Sequence, residues 1–204
     1  MKQASKIRLE VFWKCRFRAG LAAILLLAHT GIEAATVVLA RPIPLRPETI
    51  AQLKQSRPGT DSQWQLVVFG FTHCKDVCPT SLANLSMLVK AAATERIRLG
   101  GIFVTVDPDR DSNAVLSRYT SAFGSDLGYL RFEGEELERF KAAFSVETAF
   151  YTKNSGNMQN YQVDHSTTAF LIDAKGNIRV IFDALKDAIH VERIFRENKA
   201  LFES

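Results

Sequence analysis

The sequence predicts an α/β domain in which a central mixed sheet is flanked by helices. Short apolar runs rich in β-branched and aromatic residues alternate with longer segments of helical periodicity, and two late runs are separated by a turn sequence. Strands separated by helices favour parallel crossovers, whereas a hairpin adds antiparallel strands. With 204 residues, 47% of them hydrophobic, the chain is long enough for one such domain and additional segments.

Residues 1–35 predict an export signal or a membrane anchor. A basic stretch precedes the apolar run Ala19–Ala28, whose ten residues match the length of a signal-peptide core. A longer span, Ala19–Ala40, would have to bury Glu33 at a cost of about 2.5–3.5 kcal/mol. Cleavage and an uncleaved anchor therefore both stay open. The basic flank stays cytoplasmic, so we expect the remainder on the exported side, in the bacterial periplasm or, in a eukaryote, the mitochondrial intermembrane space.

The charge distribution argues against a nucleic-acid partner. Residues 1–35 hold six basic and two acidic residues, which account for the whole net charge of +4. The rest of the chain has equal numbers of basic and acidic residues. A neutral body lacks the electrostatic footprint that binding to phosphate backbones requires.

Residues 36–64 are predicted to be linker-like, because proline and glycine interrupt them repeatedly. A short helix is expected within this segment, at residues 48–55. The folded domain is expected to occupy residues 65–204.

Within that domain the predicted order of elements is β-α-β-α-(β)-α-β-β-α. Asp111 or Ser112 is expected to cap the second helix, and Ala-Lys-Gly-Asn at residues 174–177 is a hairpin turn signal. The order is typical of a thioredoxin-like fold, in which a cysteine pair sits where the first strand meets its helix. The predicted segments are strand 65–71, helix 80–95, strand 99–106, helix 112–123, helix 135–144, strands 168–173 and 177–182, and helix 187–202.

The stretch FGFTHCKDVCPTSL, at residues 69–82, carries the chemistry at that position. Its cysteines, Cys74 and Cys78, are the only ones outside the leader, which holds Cys15. A helix N-terminus and the charge of Lys75 favour thiolates, the form needed for both exchange and metal binding. A structural disulfide would close too short a loop to stabilise the fold strongly. Redox-active catalytic cysteines and metal ligands therefore stay open as alternatives.

A second signal is His165, in the stretch YQVDHSTTAFLID. A lone loop histidine is more often structural, but this one comes just before the strand expected beside the cysteine-bearing element. Asp164 next to it is available to hydrogen-bond the ring. Two thiolates and one imidazole suit copper, because soft sulfur ligands select Cu(I) and the set also accommodates Cu(II). Structural zinc usually fills four positions, and no fourth ligand is evident.

Three motifs together resemble the SCO/SenC family of thioredoxin-like copper proteins linked to cytochrome c oxidase assembly. They are FGFTHCKDVCPTSL, VTVDPDRD and YQVDHSTTAFLIDAKG, and the resemblance runs from about Leu66 to the C-terminus. It implies a copper site made of Cys74, Cys78 and His165. It also implies delivery of copper to the binuclear copper centre of the oxidase's second subunit, or reduction of that centre's cysteines. An N-terminal membrane anchor is common in the family.

The chain departs from the family pattern in two places. Lys75 stands where the family usually has proline, which removes a conformational restraint and adds a positive charge near the sulfurs. Residues 41–64 replace the Gly-rich hairpin through which the family normally enters its first core strand. These departures are the mark of a divergent member.

The remaining candidates have plainer interpretations. Residues 107–111, Asp-Pro-Asp-Arg-Asp, are interpreted as a strand-to-helix turn with an N-cap rather than a hard-metal site, with Arg110 pairing locally or helping a partner to dock. His73 is the reserve metal ligand, and His190 is expected to be structural or exposed. A peroxidase would need an arginine beside Thr72 and the cysteine, and the sequence assigns none.

Overall fold

The computed structural model describes residues 36–56, 62–152, 161–183, 185 and 188–203. The expected leader lies outside these residues. No helix within them is long and apolar enough to cross a bilayer. The strands are β1 (Thr36–Pro44), β2 (Trp64–Gly70), β3 (Leu99–Thr105), β4 (Leu127–Leu130), β5 (Thr148–Thr152), β6 (Tyr161–His165), β7 (Ala169–Ile172) and β8 (Asn177–Phe182). The helices are α1 (Pro47–Leu53), α2 (Val77–Thr94), α3 (Asn113–Ser121), α4 (Gly134–Ala143), α5 (Ala188–Glu197) and α6 (Lys199–Phe202).

The central sheet is mixed, as the sequence predicts. Six strands lie in the order β1-β8-β7-β2-β3-β4. Strands β2, β3 and β4 run parallel, whereas β7 runs antiparallel to β2 and forms the predicted hairpin with β8. The α/β expectation and its thioredoxin-like form are confirmed.

The core lies on both faces of this sheet, because successive side chains of a strand point to opposite sides. In β2, Leu66 and Val68 pack into one apolar cluster with α2, while Val67 and Phe69 pack into a second cluster on the other face. Helix α2 contributes Leu82 to the first cluster and Cys78 to the second. The start of α2 therefore reaches across the end of β2, which is where the site lies.

The segment expected to be linker-like instead contains β1 and α1. Strand β1 pairs antiparallel with β8 and completes the edge of the sheet. Most of β1 is exposed and it shows no alternation of buried and exposed residues, so the period-two signal of a strand is missing. The short helix expected there forms as α1.

A second, two-stranded sheet was not predicted. Strands β5 and β6 pair antiparallel, from Thr148 opposite His165 to Thr152 opposite Tyr161. We call this element the β5–β6 ribbon. It carries His165 at its base, so it determines where the imidazole lies.

Candidate metal centre

The two cysteines lie on either side of the start of α2. Helix α2 begins at Val77, so Cys78 is in its first turn and Cys74 precedes it. Cys74 therefore lies outside the helix, and the two cysteines do not share a helical face. The loop instead folds back so that the Cys78 backbone N–H contacts Cys74 Sγ at 3.4 Å. Cys78 is 3% exposed, whereas Cys74 is half-buried, and both thiols are free.

Gly70 makes room for the inner sulfur at the end of β2. A Cβ atom at this position would lie 2.9 Å from Cys78 Sγ and 2.7 Å from the Phe103 ring. Such distances are well inside normal contact, so any side chain here would displace the thiol or the ring. The glycine lets Cys78 approach the strand directly.

The environments of the two thiols shift their pKa values in opposite directions. Burial acts to raise the pKa of Cys74, but hydrogen bonds from the Cys78 backbone and thiol and from the Asp76 and Val77 backbones outweigh it, so this pKa is lowered. Burial dominates at Cys78 and raises its pKa strongly, and the nearby Cys74 and Asp111 charges add to the effect. The pair thus consists of an accessible cysteine whose thiolate form is favoured and a buried cysteine whose thiol form is favoured.

His165 faces the buried thiol. Its Nε2 lies 3.7 Å from Cys78 Sγ, and its Nδ1 lies 2.8 Å from the Ser166 carbonyl oxygen. A carbonyl only accepts, so Nδ1 carries the proton and the Nε2 lone pair is directed at the sulfur. Burial lowers the pKa of His165, which keeps the ring neutral. The Ser166 carbonyl therefore provides the hydrogen bond for which the sequence made Asp164 available, and Asp164 is exposed.

The three candidate ligands are neighbours, but their side chains are too far apart to bind one metal ion together. Within the described ranges, no three Cys, His, Asp or Glu side chains are close enough together to hold a metal ion as they stand. Cys78 is the central member, in contact with Cys74 on one side and His165 on the other. A metal bound by all three would need the outer two to draw together around Cys78.

Behind the cysteine loop, Asp111 makes buried contacts that the sequence did not predict. Asp111 is fully buried and accepts hydrogen bonds from the Thr72 backbone and hydroxyl and from the Thr105 hydroxyl. It therefore fixes the residue that enters the cysteine loop, and does not cap α3. That cap is Ser112, whose Oγ accepts from the Val115 backbone at 3.3 Å.

A second buried carboxylate fixes the far end of the β5–β6 ribbon. Asp107 accepts hydrogen bonds from the Arg110 guanidinium and the Tyr161 hydroxyl, which confirms local pairing of Arg110. The guanidinium also donates to the Tyr161 carbonyl and stacks 3.7 Å from the centre of its ring. Burial and the Asp107 contact raise the pKa of Tyr161. The sequence does not single out Tyr161, and the one signal for it is an aromatic residue at the start of the histidine-bearing segment.

The other polar residues of the loop are exposed or hydrogen-bonded to Asp111. His73 is exposed, with its Nδ1 3.4 Å from Thr72 Oγ1 and 3.9 Å from Asp111 Oδ1. Lys75 is exposed as well. The Thr72 hydroxyl donates to Asp111, so it is engaged away from the sulfurs and gives no support to a peroxidase site. The side chain of His190 and the leader residues Cys15 and His29 lie outside the described parts of the chain.

These features define a class: a thioredoxin-like domain with two free cysteines at the strand-to-helix junction and a neutral histidine facing the inner one. The SCO1/SenC family profile matches residues 54–199. The chain therefore belongs to the SCO1/SenC family.

Curated relatives agree with this family. The chain is 31% identical over 144 residues to a mitochondrial SCO2 homologue of Bos taurus, covering 70% of this chain and 53% of the relative. It is 38% identical over 113 residues to an SCO2-like protein of Rickettsia prowazekii, covering 54% of each chain. The chain spans about half the length of these curated relatives.

Solved structures share the fold. Apo Sco1 from Thermus thermophilus matches with a TM-score of 0.62 at 27% identity, covering 84% of this chain and 99% of the other. Yeast Sco1 with copper bound matches with a TM-score of 0.60 at 26% identity, covering 79% and 88%. Arabidopsis thaliana ScoI, also solved with copper bound, matches with a TM-score of 0.56 at 27% identity, covering 65% and 84%.

Proposed function

We propose that this protein is a copper metallochaperone that binds one copper ion through Cys74, Cys78 and His165. The observation that carries the proposal is the 3.7 Å separation between His165 Nε2 and Cys78 Sγ, with Cys74 Sγ in contact with the Cys78 backbone. Soft sulfur donors and a neutral imidazole select copper, and three such donors suit Cu(I) while accommodating Cu(II). Copper-bound members of the family support the choice of metal.

Each ligand has a distinct part in this proposal. Cys74, accessible and with a lowered pKa, makes the first bond to incoming copper as a thiolate. Cys78 loses its proton when the metal binds, because a metal ion replaces that proton on sulfur. His165 is already neutral and donates Nε2, while its Nδ1–H bond to Ser166 sets the ring's orientation. Copper is the cargo of this protein. Because Cys74 is the most exposed ligand, the copper–Cys74 bond is the one that an accepting protein can reach most easily.

The recipient in this proposal is the cytochrome c oxidase subunit that carries the binuclear copper centre, on the exported side of a membrane. The family resemblance supports that partner, and the basic, apolar leader supports membrane association or export. The donor surface would be the half-exposed Cys74 together with Val77 of the same loop-to-helix junction, which is 37% exposed.

Thiol–disulfide exchange is the second candidate, favoured by the opposite pKa shifts of the two cysteines. The Cys74 thiolate would attack a partner's disulfide, forming a mixed disulfide and releasing one partner thiolate. Cys78 would then lose its proton and attack Cys74 sulfur, giving a Cys74–Cys78 disulfide and the fully reduced partner. His165 would be dispensable for this reaction.

The test is an anaerobic Cu(I) competition titration of the reduced full chain against its His165→Ala variant. We expect tight one-to-one binding by the native chain and a loss of at least about tenfold in affinity on removing the imidazole, since even the loss of a group that only supports a ligand costs about 10–100-fold. His73→Ala is the matched control, because its ring lies beside the same loop but faces Thr72 and Asp111.

Two results would count against copper carriage by this ligand set. Equal affinity of the native and His165→Ala chains would remove the imidazole from the site and favour the exchange reaction. If His73→Ala lost as much copper affinity as His165→Ala, the assignment of His165 as the third ligand would be wrong.

A further inference from the structure

Helix α4 contains a lysine that is almost completely buried. Lys141 is 4% exposed, a rare state for lysine, which is seldom buried unless its ammonium has partners. Its Nζ donates to Thr148 Oγ1 at 2.7 Å and also lies 2.7 Å from Glu138 Oε1. Glu138 is on the same helix and its side chain is 68% exposed, whereas Thr148 belongs to β5. The Lys141–Thr148 bond is therefore a link between two elements.

The β5–β6 ribbon needs such links. It is a separate two-stranded sheet, with no described strand of the six-stranded sheet paired to it. Isolated two-stranded ribbons are only marginally stable, so packing and side-chain bonds must determine its position. Tyr161 fixes one end through Asp107 and Arg110. Lys141 fixes the other end, at the first residue of β5.

That other end is where His165 lies. Thr148 is directly opposite His165 in the ribbon's register, and opposed residues of an antiparallel pair project from the same face. The imidazole is thus held against Cys78 by β6. The residue opposite it in β5, Thr148, is hydrogen-bonded to Lys141 of α4. We infer that Lys141 is a positioning residue for His165, which deepens the proposed function and rests on it.

A general stabilising role for Lys141 makes a different prediction. Pairing with Glu138 and interaction with the C-terminal end of α4 would stabilise the helix whether or not Thr148 were present. Positioning requires the Thr148 bond and acts only through His165. The two roles can be separated by choosing which partner of the ammonium is removed.

The variants are Lys141→Met, which keeps the apolar stem, and Thr148→Val, which removes only the hydroxyl acceptor. Glu138→Gln is the matched control, because it removes the exposed ion pair and leaves the bond to Thr148. Each is made in the full chain with His165 present and with His165→Ala. We measure Cu(I) affinity by competition, and in the reduced, metal-free chain the nuclear Overhauser contact between the His165 ring and Cys78 β protons.

We expect Lys141→Met and Thr148→Val to lower Cu(I) affinity about tenfold with His165 present and to have no further effect in His165→Ala. Both should weaken the His165–Cys78 contact, and Glu138→Gln should change neither quantity. Thr148→Val leaves the lysine in place. If Lys141→Met fails to fold, Thr148→Val alone therefore tests whether Lys141 positions His165.

An unchanged His165–Cys78 contact in Thr148→Val would overturn the inference, as would equal affinity losses with and without His165. The proposed function fails separately, when His165→Ala binds copper like the native chain. In that case the nuclear Overhauser contact between His165 and Cys78 in the metal-free chain still shows whether Lys141 positions the ring.

Discussion

At the residue scale, the site consists of chemically identical thiols placed in opposite environments. Cys74 lies ahead of α2, where free backbone N–H groups surround its sulfur and lower its pKa. Cys78 lies in the first turn of α2, against Gly70 and the core, where burial raises its pKa. The two cysteines should therefore react at very different rates.

We predict that Cys74 is alkylated first. In the reduced, metal-free chain, iodoacetamide should label Cys74 at least about tenfold faster than Cys78 at pH 7, since only thiolates react and each pKa unit changes their population about tenfold. The labelling rate of Cys74 should rise with a midpoint below 9.0, its ordinary pKa. Mass spectrometry of the labelled peptide gives both quantities.

Cys78→Ser is the control for this experiment, because it keeps the backbone N–H that contacts Cys74 Sγ. Its Cys74 midpoint should stay below the ordinary value. Faster labelling of Cys78 than of Cys74 in the native chain would contradict the assigned environments.

Sequence alone could nominate Cys74, Cys78 and His165, because their residue types limit the chemistry available to them. It could not find Asp111 or Tyr161 as supports, since buried carboxylates and paired hydroxyls depend on contacts between distant segments. Thr72 and Asp111, for example, are 39 positions apart yet bonded. The motif at residues 107–111 was correctly interpreted as a turn, but the cap was not assigned to a single residue.

At the element scale, the β7–β8 hairpin is predicted by its turn sequence at residues 174–177, and in the structure one carboxylate organises that turn. Asp173 accepts hydrogen bonds from the Lys175 and Asn177 backbones and the Asn177 amide, and pairs with Arg179 at 3.3 Å. Burial acts to raise the pKa of Asp173, but these hydrogen bonds prevail and lower it below the ordinary 3.8. The ionised form therefore stabilises the fold.

We predict that Asp173→Ala lowers the free energy of unfolding by about 2 kcal/mol at pH 7, through loss of charged hydrogen bonds. Because the folded pKa is depressed, this contribution is present above pH 3.8 and is lost as pH falls through the folded pKa. The gap between native and variant should therefore shrink in acid. Urea unfolding at several pH values measures it.

Asp173→Asn is the matched variant, since it keeps an acceptor oxygen but not the charge, and should lie between the native chain and Asp173→Ala. A gap between native and Asp173→Ala that widens below pH 3.8 would contradict the assignment.

Elements with weak sequence signals were the ones missed. Strand β1 is nearly all exposed, so its apolar residues show no alternation, and its prolines indicated a linker. The β5–β6 ribbon holds exposed Phe150 and Tyr151 beside a segment outside the described residues, and nothing local predicts that its strands pair. Pairing across a long connection is decided by tertiary contacts, which a window of sequence does not contain.

At the whole-molecule scale, the site joins parts of the fold that differ in how firmly they are held. Cys78 belongs to α2, which packs on the six-stranded sheet, whereas His165 belongs to a ribbon held by Tyr161, Lys141 and one buried valine, Val163. A metal bound by both would act as a further link between the ribbon and the core.

We therefore predict that copper slows hydrogen exchange in β5 and β6 and leaves β3, in the middle of the sheet, unchanged. Ribbon opening that parts His165 from Cys78 must break the copper–imidazole bond while the sulfurs keep the metal. With Cu(I) saturating, exchange in the ribbon should therefore slow by the factor that the imidazole adds to copper affinity, at least about tenfold. In His165→Ala the metal still binds through sulfur but no longer reaches the ribbon, and the slowing should disappear. Mass-spectrometric exchange on the reduced full chain, with and without Cu(I), measures this. Equal protection of the ribbon in native and His165→Ala chains would show that copper does not link β6 to α2.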